Sequence, residues 1–227
     1  MLIYGWRSYE VVLDFLFTVI FVLGVYYLIR YRLNLNKAVQ LSKNALYPSK
    51  EDEFNSIILP VEWREMEPLS KNTKSYQYVK WGTVVAIILS TILLWIVLVT
   101  DLLEYSFFSV AYIFFAIINA VRHRGNLFIL PNGLIFNGRY YSSNQIKGYE
   151  AEKIIRWHEL YGLNSKGNNA YKLTLNIKNK RYTPNFIVIK DHDSLGQILD
   201  LLNMQGISGI TKVEQPFSSV GNLTNKS

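Results

Sequence analysis

One long apolar stretch constrains the fold of this chain more than any other feature. It runs from Trp81 to Val121, and its only charged residues are Asp101 and Glu104, near its middle. As a single α-helix it would extend roughly 60 Å, about twice the thickness of the hydrocarbon core of a bilayer. The stretch therefore predicts a transmembrane hairpin over residues 81–121 that turns at the two acidic residues.

A second apolar segment precedes the hairpin. Val11–Ile29 has about the length that a bilayer requires, and Arg30 and Arg32 follow it directly. A cleaved signal peptide is the alternative interpretation, but its basic region would consist of Arg7 alone and its apolar core would be unusually long. We therefore predict a transmembrane helix within residues 1–32, which together with the hairpin gives three spans.

The basic residues predict the orientation of these spans. Nine lysines and arginines lie between residues 30 and 80, whereas Arg7 alone precedes the first span. Because basic loops stay on the inner side of a membrane, this loop is expected in the cytoplasm and the N-terminus outside. The second span, Gly82–Thr100, then runs outward and the third, Tyr105–Val121, returns inward. The result is a multi-pass protein of the cell membrane.

The predicted cytoplasmic loop, residues 33–80, contains two patterned segments. Apolar residues within Leu35–Leu46 have a loosely helical spacing, which fits either an extension of the first helix or a helix on the membrane surface, and Pro48 would end it. Phe54–Val61 fits a short strand or a surface anchor. Pro60 argues against a central strand, because proline cannot donate to a ladder.

Beyond the hairpin, from Asn126, the pattern changes to short apolar runs separated by turn residues. Leu127–Leu130 and Leu134–Phe136 flank Pro131-Asn132-Gly133, which is typical of a β-hairpin because proline fixes φ and glycine accepts a positive φ. Four further strands are predicted from alternation or from short apolar runs. They are Ser143–Tyr149, Ile154–Leu160, Tyr171–Ile177 and Phe186–Ile189.

This predicted domain ends with one amphipathic helix. In Asp193–Gln205 the apolar residues fall on one face at helical spacing, Asp191 or Asp193 is placed to cap the N-terminus, and Gly206 follows the last turn. From residue 208 to residue 227 the sequence is polar and without pattern, which predicts a disordered tail. The fold class expected is thus a three-helix membrane part followed by an α+β domain.

The segment from Asn126 to Ile207 resembles the pleckstrin-homology-like domains that are appended to small bacterial membrane proteins. The resemblance rests on the hairpin LFILPNGLIF, on the run Gln145–Tyr149 and on the closing helix DSLGQILDLL. It implies an antiparallel sheet or barrel closed by one helix, which docks a protein or a lipid surface. Phosphoinositide-binding relatives keep basic residues in the first hairpin turn. This chain has Pro131-Asn132-Gly133 there, so that route of headgroup binding is not expected.

The sequence offers little for catalysis or metal binding. It contains no cysteine, and its three histidines, His123, His158 and His192, lack the spacing of a zinc site. Nucleophile-elbow, P-loop and dinucleotide motifs are also missing from it. His158 and Glu159 are adjacent on a predicted strand, so they should point to opposite faces. We therefore predict a protein that is not an enzyme, with no catalytic residue, metal or cofactor.

Candidate contact residues are charged. Five basic residues form a candidate contact with anionic lipid, each contributing on the order of 1 kcal/mol near the surface; the alternative is that they only set topology or occupy a solvated turn. These are Arg122, Arg124, Lys178, Lys180 and Arg181. Asp101 and Glu104 are either a recognition site in the outer turn or simple turn residues. Asp14 fits an interfacial position better than an ion relay, because it lies near the end of its span.

Two classes of function follow. The first is a non-enzymatic membrane protein whose cytoplasmic β domain docks a protein partner or the anionic inner membrane surface, with immunity to bacteriocin-like, membrane-active peptides as one form of it. The second is a subunit of a homo-oligomeric transporter or channel. The spans offer few polar residues near the midplane, which favours the first class. Nucleic acid is not an expected partner, because the net charge of +7 is dispersed.

Overall fold

The computed structural model describes residues 2–60, 62–100, 102–121, 126–178 and 186–212. The chain divides into two compact units. The first, which we call the helical unit, comprises Met1–Asn44, Glu67–Asn126 and Ile135–Tyr140. The second, the sheet unit, comprises Ala45–Met66, Leu127–Leu134 and Tyr141–Ser227. A helical N-terminal part and a separate sheet-rich domain are therefore present, as the sequence predicts.

Five α-helices lie within the described residues. They are α1 (Leu2–Leu41), α2 (Glu51–Asn55), α3 (Lys74–Val99), α4 (Leu102–Ala120) and α5 (His192–Met204). In the helical unit, α1, α3 and α4 each pack against the other two. Helix α1 continues well beyond Ile29 and ends in a 3₁₀ turn at Ser42–Asn44, which confirms that the segment after the first apolar run extends that helix.

Two of these helices are long and apolar enough to cross a membrane, judged by length and composition alone. They are the segment Val11–Asn44, which includes most of α1, and α3. In α4 the backbone of Ser106 is not helical (φ −143°, ψ 29°), which leaves Ser106–Ala120 as its continuous apolar part. That part is shorter than a typical span of about 20 residues. Two spans thus have structural support, and the third stays a prediction.

The described strands form two sheets and no closed barrel. The strands are β1 (Ile57–Leu59), β2 (Arg64–Glu65), β3 (Leu127–Leu130), β4 (Gly133–Phe136), β5 (Arg139–Ser142), β6 (Ile146–Lys153), β7 (Tyr171–Ile177), β8 (Phe186–Ile189) and β9 (Gly209–Lys212). The larger sheet has the order β2-β1-β8-β7-β6-β9, and the smaller β3-β4-β5. The neighbours in the larger sheet are antiparallel except β6 and β9, which are parallel.

Strand β1 occupies an internal position that the sequence argued against. Ile57 pairs with Ile189 of β8, and on the other side Ile58 pairs with Glu65 of β2. From Pro60, the sequence predicts that this segment is not a central strand. That inference is wrong, because β1 ends at Leu59 and Pro60 follows it, where no ladder donor is needed.

The other strand predictions have mixed outcomes. Strands β3, β4, β7 and β8 lie where the sequence predicts them. The prediction of a strand at Ser143–Tyr149 is wrong at its start, since a 3₁₀ turn covers Ser143–Gln145 and β6 begins at Ile146. The prediction of a strand at Ile154–Leu160 is wrong throughout. Consecutive turns replace it, with the amide of His158 donating to the carbonyl of Ile155.

Helix α5 forms as predicted. The carboxylate of Asp191 accepts a hydrogen bond from the amide of Ser194 at 2.7 Å, so Asp191 and not Asp193 is the N-cap. Gly206 follows the helix with φ +74°. The predicted disordered tail is wrong over Gly209–Lys212, which form β9 beside β6. Residues 213–227 lie outside the described part of the chain.

Candidate membrane-facing site

The helical unit exposes large apolar side chains on all three of its long helices. Phe15 of α1 is 70% exposed, Trp95 of α3 65% and Phe108 of α4 87%. Many aliphatic neighbours on the same helices are exposed as well. The surfaces of water-soluble proteins seldom carry large apolar areas of this kind. Removing apolar surface from water is favourable by roughly 25 cal/mol per square ångström, so such areas tend to be covered. Such a surface is compatible with a hydrocarbon environment.

The side chains between these helices are close-packed. The rings of Phe17 and Phe114 meet edge to face with centroids 5.9 Å apart, and both side chains are buried. Gly24 permits this approach, because a Cβ atom there would overlap the ring of Phe114 and the side chain of Ile118. Small residues that let helices approach closely are typical of packing inside a membrane.

The hydroxyl and amide groups described in the spans bond mainly to their own helix. The hydroxyl of Thr83 donates to the carbonyl of Val79 at 2.7 Å, and the amide of Asn119 donates to that of Phe115 at 2.8 Å. Ser90 differs, because its hydroxyl is buried and has no hydrogen-bond partner among the described residues. Asp14 is half-buried.

Aromatic and basic side chains pair near one end of the helical unit. Arg30 donates a hydrogen bond to the hydroxyl of Tyr26 at 3.0 Å and lies over its ring. Lys80 lies 5.5 Å from the ring centre of Trp81. Both rings are exposed. Because amphipathic rings and long cationic side chains concentrate at the boundary between lipid and water, we call these four residues the interfacial pairs.

A hydroxyl group joins the two helices of the predicted hairpin close to the same boundary. The Tyr78 hydroxyl of α3 donates to the carbonyl of Ala120 in α4 at 3.1 Å. Ala120 is the last residue of α4, so its carbonyl has no partner within the helix. The bond from Tyr78 therefore gives this terminal carbonyl a partner, and it holds the two helix ends together.

The sheet unit carries two groups of ion pairs. Lys190 lies 2.6 Å from a carboxylate oxygen of Glu65, and Lys166 lies 3.6 Å from it. The hydrogen bond from Lys190, with its positive charge, lowers the pKa of Glu65 below 4.5. In the second group, Lys172 contacts Glu159 at 2.8 Å and lowers its pKa in the same way. In each pair at least one side chain is in contact with solvent, so the net stabilisation from these pairs is modest.

The sequence predicts that His158 and Glu159 lie on opposite faces of a strand, and this prediction is wrong. They occupy a turn, where the Nδ1 atom of His158 accepts from the amide of Leu160 at 3.0 Å. The Nε2 atom of the same ring is 3.7 Å from Glu152. Across the residues that the structure describes, no three histidine, aspartate or glutamate side chains are grouped to hold a metal ion.

Most of the predicted contact residues fall outside the described part of the chain. Those outside are Arg122, Arg124, Lys180, Arg181 and Asp101, and for Glu104 only the backbone, in α4, is described. Lys178 is exposed directly after β7, and its amide donates to the carbonyl of Gln145 at 2.8 Å. The grouping of these basic residues into one lipid contact therefore stays a prediction.

The sequence does not predict the loop that replaces the expected strand at Ile154–Leu160. Trp157 in this loop is 76% exposed. The available signal was the run Arg156-Trp157-His158, which breaks the alternation of a half-buried strand, together with the nearby Gly162.

No protein-family model, curated protein or solved structure matches this chain significantly. The class of protein is therefore inferred from its own architecture, which is a helical unit with many exposed apolar side chains and a sheet-rich unit.

Proposed function

We propose that this chain is a non-enzymatic, multi-pass membrane protein whose sheet unit docks on the anionic inner surface of the cell membrane. The observation that carries the proposal is the outward apolar surface of α1, α3 and α4, which a bilayer would cover. In this proposal α4 is the third span, despite the break at Ser106.

The proposed orientation places the N-terminus outside and the sheet unit in the cytoplasm. The interfacial pairs support it, because Tyr26, Arg30, Lys80 and Trp81 would then lie at the inner boundary, next to anionic lipid. The proposal keeps the likeness of the sheet unit to pleckstrin-homology-like domains. Strands β3 and β4 and the closing helix α5 support that likeness, whereas the six-stranded order of the larger sheet adds strands from the N-terminal half.

A related form of this function is that the sheet unit docks a protein partner instead of lipid. Immunity against membrane-active peptides is one biological role that such docking would serve, and only the sequence suggests that role. A transporter or channel subunit is the second candidate. The buried hydroxyl of Ser90 is the feature that favours it. One buried hydroxyl without a described partner does not make a pathway, so the docking function has the better support.

Lipid docking can be measured on the full chain in nanodiscs, by energy transfer from a fluorophore on the sheet unit to labelled headgroups. The chain has no cysteine, so one introduced cysteine gives a single label. We expect stronger transfer with phosphatidylglycerol than with phosphatidylcholine, and a loss of this difference in high salt. If the turn after β7 forms the docking surface, Lys178→Gln, Lys180→Gln and Arg181→Gln together should weaken the transfer; unchanged transfer would place docking on another surface of the sheet unit. Equal transfer in both lipids would reject docking on anionic lipid.

A further inference from the structure

A compact loop on the sheet unit, residues 155–169, has its two ends joined. The amide of Ile154 donates to the carbonyl of Ala170 at 2.8 Å, and the amide of Asn169 donates to the carbonyl of Ile154 at 3.0 Å. Loops of about this length with adjacent ends are Ω-loops, which are frequently functional. We refer to it as the 155–169 loop.

The inner side of the 155–169 loop is anchored in the core of the sheet unit. Leu160 is buried beside Ile58 and Val188. Gly167 lies against the indole of Trp63, close enough that a Cβ atom at Gly167 would meet the ring at 2.5 Å. Successive backbone hydrogen bonds brace the turns between these anchors. The loop is therefore a shaped element, and the directions of its outer side chains are set by that shape.

The outer side of the loop presents two large apolar groups to solvent. Trp157 is 76% exposed and Leu163 is 62% exposed. The space beside Gly162, the neighbour of Leu163, is open, since a Cβ atom there would meet nothing within 4 Å. Side chains that protrude from a turn suit the boundary of a bilayer. Protein hot spots, in contrast, are concentrated in well-packed pockets within interfaces of roughly 1,000 Å² or more.

The charge next to these apolar groups favours an anionic surface. Arg156 is exposed beside Trp157, and Lys166, whose amine lies 3.6 Å from Glu65, is exposed as well. The one acidic residue of the loop, Glu159, is paired with Lys172. Tryptophan next to arginine combines a ring that prefers the interface with a cation that attracts lipid phosphate.

Covalent attachment makes a weak contact of this kind effective. The chain passes directly from the helical unit into the sheet unit between Asn44 and Ala45, and back between Met66 and Glu67. If the helical unit is in a bilayer, the sheet unit stays near that bilayer. An interaction within one molecule then needs far less intrinsic affinity than the binding of a free domain.

We infer that the 155–169 loop is the lipid contact of the sheet unit: Trp157 and Leu163 enter the headgroup region of an anionic bilayer, and Arg156 binds lipid phosphate. This inference rests on the proposed function and adds the residues and the surface through which docking occurs.

The test uses the full chain in nanodiscs with an environment-sensitive fluorophore at a single introduced cysteine. The test site is Leu163→Cys, and the matched controls are Met204→Cys on α5 and Ile210→Cys on β9, which are also exposed apolar residues of the sheet unit. Lipids that carry a quencher near the headgroup report contact. We expect quenching at residue 163 in phosphatidylglycerol, weak quenching in phosphatidylcholine, and little at the two control sites.

A second variant tests the role of the tryptophan. Trp157→Ser in the Leu163→Cys protein should lower the ratio of docked to undocked molecules about tenfold, the order expected for one large apolar side chain. Because Trp157 is exposed, the fold should persist, which unchanged protease resistance of the sheet unit would show.

The outcomes separate this inference from the proposed function. Quenching at Met204 or Ile210 without quenching at Leu163 would overturn the inference, while docking through another face would stand. A lack of quenching at all three sites would overturn the inference, and equal energy transfer in both lipids would overturn the proposed function as well. In that second case the exposed Trp157 would instead fit a contact with a protein.

Discussion

Ile57 of β1 pairs with Ile189 of β8, so a segment that precedes the predicted membrane hairpin is built into the sheet that follows it. A hydrogen bond from the amide of Lys190 to the carbonyl of Ser56, at 2.8 Å, extends this pairing by one residue. The sheet unit therefore needs both halves of the chain. A fragment that begins at Asn126 would lack β1 and β2 and would expose the edge of β8.

The first prediction concerns this shared core. Ile58 is fully buried between β2 and β8, so Ile58→Ala should lower the free energy of unfolding of the sheet unit by about 3 kcal/mol, through lost burial and the remaining cavity. Ile210→Ala is the matched control, because Ile210 is exposed, and it should change stability by less than about 0.5 kcal/mol. Hydrogen exchange of the full chain measures both. Equal effects would mean that β1 is not a strand of this sheet.

The second prediction concerns the contact between α1 and α4. Gly24→Ala adds a methyl group where Phe114 and Ile118 already lie, so it should destabilise the helical unit by about 1 to 3 kcal/mol. Gly82→Ala is the matched control, since its new methyl group would lie 3.7 Å from Val121, an ordinary contact distance. Thermal unfolding in detergent should show a lower midpoint for Gly24→Ala alone. The same midpoint for both variants would argue against close packing at Gly24.

The third prediction concerns pH and the pair of Glu65 and Lys190. The pKa of Glu65 is lowered in the folded protein, so the pair stabilises the fold above the ordinary pKa of 4.5, and this contribution is lost as the pH falls through the lowered value. Glu65→Gln should therefore be less stable than the wild type at pH 7 and approach it in acid. The effect should be small, because the pair is exposed.

Denaturant unfolding at a series of pH values measures this difference. Glu62→Gln is the control, because Glu62 pairs with Arg64, two residues along the chain, and not with Lys190. A difference between wild type and Glu65→Gln that stays constant down to acid pH would contradict the linkage.

The fourth prediction concerns a buried pair of hydroxyl groups. Tyr47 and Ser56 are both buried, and their oxygens are 2.9 Å apart. Tyr47→Phe and Ser56→Ala should each cost about 1 kcal/mol, and the double variant should cost less than the sum, because the two changes remove one shared bond. A double-mutant cycle measures this coupling. Strict additivity would show that the bond contributes nothing.

Burial also gives Tyr47 a pH dependence at the alkaline end. Desolvation raises the pKa of Tyr47 above 10.0, so the folded chain keeps the phenol proton at a pH where the unfolded chain releases it. Stability should therefore fall as the pH rises past 10.0, and Tyr47→Phe should remove that part of the loss.

The fifth prediction concerns topology. A reporter fused after Ser227 should be active only in its cytoplasmic form, and a reporter fused before the first span should be active only outside. Alkaline phosphatase and a fluorescent protein, which are active on opposite sides of the membrane, provide the two readouts. A C-terminal phosphatase that is active would contradict both the orientation and the docking of the sheet unit on the inner surface.

The long apolar segments, the hairpin turn at Pro131-Asn132 and helix α5 follow from the sequence alone. Each depends on a local signal: bilayer thickness sets a length, proline and glycine set a turn, and a period of 3.6 residues marks one face of a helix. The prediction of a lipid contact at Lys178 and the other basic residues also depends on a local signal, their charge, and charge alone does not group residues in space.

Tertiary structure decided the positions of β1 and β9 and the shape of the 155–169 loop. The local pattern does not fix the place of such strands in a sheet, because that place depends on neighbours that are distant in sequence, as with Ile57 and Ile189. Ile154 and Leu160 have the apolar character of a strand, yet both are buried in one core because the chain turns between them. That turn leaves Trp157 exposed, and only packing in three dimensions determines such an orientation.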